Sequence, residues 1–191
     1  MPSIDSGLQP GRPAPGYLLA GALLDAVSPR EMRCAQGAVA IGVRTETIRD
    51  VGPLAGLQRR YPGWPTIHAD DCVILPAMAD GHARLADYMV RGQASDFASL
   101  GPLAWLDELV YPEEARFNDR TYAQRACREF VDAALRQGTV TAFIVAPPQA
   151  EALATLFELP VAGRWYAGNV VADAMASQPY RQTTADAIRN L

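Results

Sequence analysis

Residues 75–85, with the sequence LPAMADGHARL, contain one of the two histidines of the chain, His82, with Arg84 two positions later. Side chains of an extended segment alternate between its two faces, so residues 82 and 84 share one side. Two imidazoles at this spacing would be typical of a metal site, because neutral histidine is a common metal ligand. Here Arg84 takes the second position, so half of the ligand pair is missing. His82 is either a remaining metal-ligand position or a polar residue where a strand meets a loop.

Composition and charge exclude several classes of function. The chain has 191 residues, of which 49% are hydrophobic and 20% charged, which is enough to bury a core. A net charge of −4 and a pI near 5.2 argue against binding to nucleic acid or to an anionic membrane. No run approaches the ~18 apolar residues of a membrane span, and the first residues do not resemble a signal peptide. We therefore expect a soluble protein with neither kind of partner.

The three cysteines of the chain, Cys34, Cys72 and Cys127, lie far apart. This spacing excludes a CxxC metal site and leaves one thiol over if any two were paired. The usage fits a reducing compartment, and we expect a cytoplasmic location.

The pattern of apolar runs and turn residues predicts three regions. Residues 1–16 contain four prolines and three glycines and read as a disordered arm. Residues 17–72 alternate short apolar runs with turns, which is typical of a small β unit. From residue 73 the pattern changes: VILPAMAD reads as one buried strand, followed by short helices near 85–91 and 103–109.

The clearest predicted element is a helix over residues 119–137. Apolar residues recur there at spacings of three and four and form one stripe; they are Ala123, Ala126, Cys127, Phe130, Val131, Ala134 and Leu135. Asn118 or Asp119 can cap the start of the helix, and Gly138 can end it in the left-handed conformation.

The C-terminal region alternates predicted strands and helices. Residues 139–145 read as a fully buried strand, 149–159 as a helix, 163–171 as a strand and 183–191 as the start of a helix, with Thr183 and Asp186 spaced as a capping box. This order predicts βαβ units in a parallel sheet whose strands are apolar on both faces. The fold class is therefore α/β.

Residues 102–145, PLAWLDELVYPEEARFNDRTYAQRACREFVDAALRQGTVTAFIV, resemble guanine deaminases of the metal-dependent amidohydrolase superfamily. A Trp-Leu pair, a Pro-Glu-Ala-Arg-Phe-like turn, a long helix and an Asn-Gly-Thr-Thr-Thr-Ala-like strand follow in this order in that family. Residues 137–142 are a near match to the last motif. The segment 75–85 takes the place of the first strand with its His-x-His, and Asn169 stands where a lysine is usual.

The resemblance implies a TIM barrel with an N-terminal β-sandwich, and zinc-assisted hydrolysis of guanine to xanthine and ammonia. His82 matches the first zinc ligand, whereas Arg84 would place a permanent cation where the metal binds. The substrate-binding glutamine of the family falls on Asp87, and the later histidine and aspartate ligands have no counterpart. We therefore expect no stoichiometric zinc on this chain alone.

The resemblance also suggests residues that contact the purine. Arg116 and Phe117 match an Arg-Phe pair that looks like a guanine clamp, in which the guanidinium donates to the purine carbonyl and the ring stacks on the base. Trp105 and Leu106 match a wall of the pocket. The alternative for Arg116 and Phe117 is a capping and packing role before the long helix. The alternative for Trp105 and Leu106 is a place in the core on a short apolar helix. Three further polar residues read as surface residues: His68, Glu113 and Glu114.

Chain length limits how much of such a barrel is present. A complete barrel of eight βα units takes about 250 residues, and about 120 residues follow the N-terminal unit here. We therefore expect a partial TIM barrel of about three βα units, inactive alone. Either a second chain completes the barrel of a split deaminase, or the chain is a non-catalytic module that binds a purine or a partner. An unfinished sheet predicts an oligomer or dependence on a second chain.

Overall fold

The computed structural model describes residues 3–5, 14–93, 102–170 and 183–189. The chain divides into two compact units, residues 1–76 and residues 77–191. Among the described helices, none combines the length and the apolar character needed to cross a bilayer.

The first unit is built on a five-stranded sheet. Its elements are β1 (Ser3–Asp5), β2 (Gly16–Ser28), β3 (Glu31–Gly42), β4 (Thr47–Gly52), α1 (Leu54–Arg60) and β5 (Thr66–Ile74). The strand order is β1-β5-β2-β3-β4, with β2 and β5 parallel and the other pairs antiparallel. Leu57 of α1 joins a small core with Leu18, Ala20, Ala38 and Ala40. A side chain at residue 16 would collide with Trp64, so this close approach requires glycine.

The predicted disordered arm differs from the structure at residues 3–5. Ser3–Asp5 pair antiparallel with residues 66–68 of β5 and form one edge of the sheet. Gly16 already belongs to β2. Residues 1–2 and 6–13 of this arm lie outside the described residues.

The second unit contains a three-stranded parallel sheet in the order β6-β7-β8. Its strands are β6 (Met78–Arg84), β7 (Thr139–Ala146) and β8 (Arg164–Asn169). The helices are α2 (Leu85–Met89), α3 (Pro102–Trp105), α4 (Tyr111–Ala115), α5 (Arg120–Arg136), α6 (Ala150–Glu158) and α7 (Thr184–Arg189). A π-helical turn, Leu106–Val110, joins α3 to α4, and a 3-10 turn, Arg116–Asn118, precedes α5. This order of strands and helices confirms the predicted α/β class and the parallel pairing.

Helix α5 matches the predicted helix closely. Asp119 is its N-cap, and its carboxylate accepts hydrogen bonds from the backbone N–H groups of Thr121 and Tyr122. Gly138 follows the helix with a φ of 84°, in the left-handed region that glycine adopts without strain. The buried stripe of α5 packs into the main core of the second unit with Leu85, Val110, Ile144 and Leu156. At Cys127, burial raises the pKa of the thiol to about 12.

The apolar run VILPAMAD does not form one buried strand, so that prediction was wrong. Val73 and Ile74 end β5 of the first unit, whereas Met78 begins β6 of the second. Pro76 lies in the break, where it has no N–H to donate to a ladder. Most of β6 is exposed, and Ala83 is its buried residue.

Strand β7 is covered on one face, so the prediction of a fully buried strand was also wrong. Ala142, Ile144 and Ala146 are buried. Phe143, on the opposite face, is 53% exposed and pairs in register with Tyr166 of β8, which is 58% exposed. The parallel sheet therefore presents two neighbouring aromatic rings to solvent.

Candidate functional site

His82 and Arg84 lie at the end of β6, where the strand leads directly into α2. Ala83 between them is buried, whereas His82 is exposed and Arg84 is partly buried. The strand is irregular between Asp80 and Ala83, and the Asp80 carboxylate accepts a hydrogen bond of 2.9 Å from the His82 backbone N–H.

The Arg84 guanidinium is held by two carboxylates from two different helices. Its Nε donates to Asp87 Oδ1 of α2 at 3.1 Å, and its Nη2 donates to Glu114 Oε1 of α4 at 3.3 Å. The side chains of Arg84, Asp87 and Glu114 are 24%, 28% and 5% exposed. We call these three residues the Arg84 cluster.

Burial dominates the electrostatics of the Arg84 cluster. At Glu114 burial raises the pKa to about 7, although the neighbouring Arg84 charge lowers it. At Asp87 burial also raises the pKa, against the lowering effect of Arg84. Because desolvation disfavours a carboxylate more than one shared guanidinium stabilises it, the cluster holds a proton more readily than an exposed carboxylate pair would.

Glu113 and Glu114 are not surface residues, so that prediction was wrong. They are 9% and 4% exposed, because α4 lies between the core residues Val110 and Phe117. The Glu113–Arg116 pair has a local i, i+3 spacing and could have been found in the sequence. The partner of Glu114 lies 30 residues away, and no local pattern indicates it.

Arg116 and Phe117 pack as one group with Tyr122 at the start of α5. Arg116 Nη1 donates to Glu113 Oε2 at 2.9 Å, and its guanidinium lies 4.0 Å from the centre of the Tyr122 ring. Phe117 is 0% exposed and meets Tyr122 edge to face at 5.4 Å. Phe117 therefore offers no ring face to a base arriving from solvent, which favours the packing alternative.

Trp105 and Leu106 lie where α3 meets the π-helical turn. Both are partly buried and pack against the core of the second unit. This position also agrees with the packing alternative. Their contact with a purine stays a prediction.

A cavity of about 380 Å³ opens beside β6 and β7. Tyr88, Phe130 and Ala142 line it, with Asp80 and Arg91 among its polar residues. None of the four residues predicted to contact a purine lines this cavity. The Arg91 guanidinium already lies 3.7 Å from the centre of the Tyr88 ring.

The residues at the end of β6 do not fit zinc. Structural and catalytic zinc sites use three or four nitrogen, sulfur or carboxylate ligands. Among the described residues, no group of three histidine, cysteine, aspartate or glutamate side chains could hold a metal ion. Arg84 places a cation two residues after His82 and pairs with the carboxylates of Asp87 and Glu114.

The chain is similar to guanine deaminases among known proteins. No family model matches the chain. A relative described as a probable guanine deaminase, from Deinococcus radiodurans, is 32% identical over 156 residues, which is 78% of this chain and 34% of the relative. The chain spans 26–34% of the length of the first two curated relatives.

Solved structures show the same relation. Guanine deaminase from Bradyrhizobium japonicum aligns with a TM-score of 0.78 at 26% identity, over 92% of this chain and 39% of that one. Guanine deaminase from C. acetobutylicum with bound guanine aligns with a TM-score of 0.79 at 21% identity, over 92% of this chain and 41% of that one. The resemblance predicted from residues 102–145 is thus confirmed: this chain is similar in sequence and in fold to part of the guanine deaminases.

Proposed function

We propose that this chain is a guanine deaminase-like amidohydrolase module that does not hydrolyse guanine by itself. In this proposal, β6, β7 and β8 with their helices correspond to the first three βα units of a TIM barrel, and the first unit corresponds to the small β domain. The parallel order β6-β7-β8 and the alignment to guanine deaminases support this correspondence. Free cysteines at residues 34, 72 and 127 suit the cytoplasm.

The observation that carries the proposal is that residue 84 is an arginine paired with two carboxylates. Metal-assisted hydrolysis needs a bound metal that lowers the pKa of water, together with a carboxyl group that moves the proton. Arg84 instead directs its charge to Asp87 and Glu114. No step of hydrolysis is therefore assigned to this chain.

The test is an assay of xanthine formation from guanine, followed by absorbance. We expect the purified chain to be indistinguishable from buffer. We expect Arg84→His to restore nothing, because the substitution does not supply the later histidine and aspartate ligands that the resemblance implies. An intact guanine deaminase serves as the positive control. Elemental analysis should find less than one zinc per chain after dialysis. Turnover by the unmodified chain would overturn the proposal.

A second candidate is one part of a split deaminase, completed by another chain or by a second copy. The exposed ring pair Phe143 and Tyr166 supports it, because adjacent apolar side chains on an open sheet face favour association. Guanine, which is bound in the C. acetobutylicum structure, is the ligand we propose for the completed site.

A further inference from the structure

Two carboxylates from separate helices converge on one partly buried guanidinium in the Arg84 cluster. A second arginine, Arg120, also bridges two carboxylates, with Glu151 at 2.8 Å and Glu158 at 2.6 Å. Those three side chains are all more than 40% exposed, whereas Glu114 is 5% exposed. Arg84 and Arg120 therefore each form two ion pairs, but those of Arg120 are exposed to solvent and those of Arg84 lie at the edge of the core.

This difference in exposure changes what the guanidinium does. A carboxylate removed from water is costly unless a cation compensates it, whereas an exposed pair contributes little. Arg84 is the cation that contacts Glu114, and the pair joins the end of β6 to α4. Its second contact, with Asp87, joins the same strand end to α2.

We infer that Arg84 is a built-in cation that takes over, at the second metal-ligand position of β6, the charge that a bound divalent ion would supply. The guanidinium compensates Asp87 and Glu114 and fixes β6 against α2 and α4. The second unit therefore folds without a metal. This inference uses the proposed relation to guanine deaminases only to identify residue 84 as a ligand position, and its tests measure stability and metal binding rather than hydrolysis.

The inference implies that a divalent metal ion can replace the guanidinium when Arg84 is changed to histidine. An Arg84→His variant has imidazoles at positions 82 and 84 beside the carboxylates of Asp87 and Glu114. Imidazole nitrogens with carboxylate oxygens are a donor set for Zn²⁺ or Co²⁺. The wild-type cluster, in which the guanidinium lies between the carboxylates, excludes the same ion by repulsion.

The first experiment compares thermal unfolding of the full chain with Arg84→Met, Arg84→Lys and the matched control Arg120→Met at pH 7.5. Removing the cation leaves the buried Glu114 and the partly buried Asp87 unpaired. Arg84→Met should therefore lower the Tm by roughly 3–6 °C, and Arg120→Met by less than about 3 °C. Arg84→Lys keeps the charge and should lose less than half of what Arg84→Met loses. Equal losses for Met and Lys at position 84, or for Met at positions 84 and 120, would overturn the inference. If Arg84→Met does not fold, Arg84→Lys is compared with Arg120→Lys. The inference then requires that the Arg84→Lys chain folds and is more stable than the Arg84→Met chain.

The second experiment titrates Co²⁺ into the wild-type chain, Arg84→His and the double variant His82→Ala/Arg84→His. We expect the wild-type Tm to change by less than about 1 °C with Co²⁺ or EDTA. Arg84→His should gain roughly 5–10 °C at a hundredfold excess of Co²⁺ over its Kd and show a visible cobalt absorption, and the double variant should lose both. Saturable Co²⁺ stabilisation of the wild-type chain, or none in Arg84→His, would contradict the inference.

Discussion

Because Glu114 is buried, we expect the second unit to become less stable as the pH rises. Its carboxyl pKa rises from an ordinary value of 4.5 to about 7 in the native state, because the side chain is buried. Between these two values the native state binds a proton that the unfolded state releases, so the free energy of unfolding falls as the pH rises. At about 1.4 kcal/mol per pH unit the loss amounts to at most about 3 kcal/mol between pH 4.5 and pH 8.

Replacing Glu114 with glutamine should remove this dependence. The amide keeps the size of the side chain but carries no charge, and Arg84 keeps its contact with Asp87 at 3.1 Å. We expect Glu114→Gln to equal the wild-type chain near pH 5 and to exceed it by up to about 3 kcal/mol at pH 8. The free energy of unfolding is measured by urea titration at pH 5, 6, 7 and 8.

Glu151→Gln is the matched control for this experiment. Glu151 also accepts a hydrogen bond from an arginine, Arg120, but its side chain is 41% exposed. Its curve should run parallel to that of the wild-type chain. A Glu114→Gln curve that also ran parallel would refute the reasoning, because it would mean that burial does not hold a proton on Glu114.

Three further predictions concern the packing of the second unit. Phe117→Ala should cost about 3–5 kcal/mol of unfolding free energy in urea, because Phe117 is fully buried, and a loss below about 1 kcal/mol would contradict a packing role. Asp119→Ala should cost about 1 kcal/mol, measured in the same way, because α5 loses the side chain that caps its N-terminus; no loss would mean that water replaces the cap. The chain alone should scatter light as an oligomer or aggregate and bind the dye ANS, and serine at both Phe143 and Tyr166 should reduce both signals. A monodisperse, dye-negative wild-type monomer would show that this face does not drive association.

The parts of the fold that the sequence predicts are those whose signals are local. Helix α5 repeats its apolar residues every three or four positions, with Asp119 before it and Gly138 after it, and the structure follows this pattern. The alternation of strands and helices from residue 139 onward likewise predicts the parallel pairing of β7 with β8. Each of these signals lies within a few residues of the element that it describes.

The parts that the sequence does not predict depend on contacts between distant residues. The sequence of an apolar run such as VILPAMAD does not indicate whether the run forms one strand or is divided between strands of two sheets. Glu114 reads as an exposed residue until Arg84, 30 positions earlier, is placed beside it. Burial of a charge is decided by tertiary packing, so the Arg84 cluster could be described only from the structure.

The cysteines differ in their exposure to solvent between the two units, so their alkylation can be followed separately in each unit. Cys34 and Cys72 of the first unit are exposed, whereas Cys127 of the second unit is buried on α5. A thiol reacts as its thiolate, so Cys127, with a pKa of about 12 and no access to solvent, reacts only when α5 leaves the core. With Cys34 and Cys72 replaced by serine, the rate of alkylation at neutral pH would therefore measure how often the second unit opens, independently of the first.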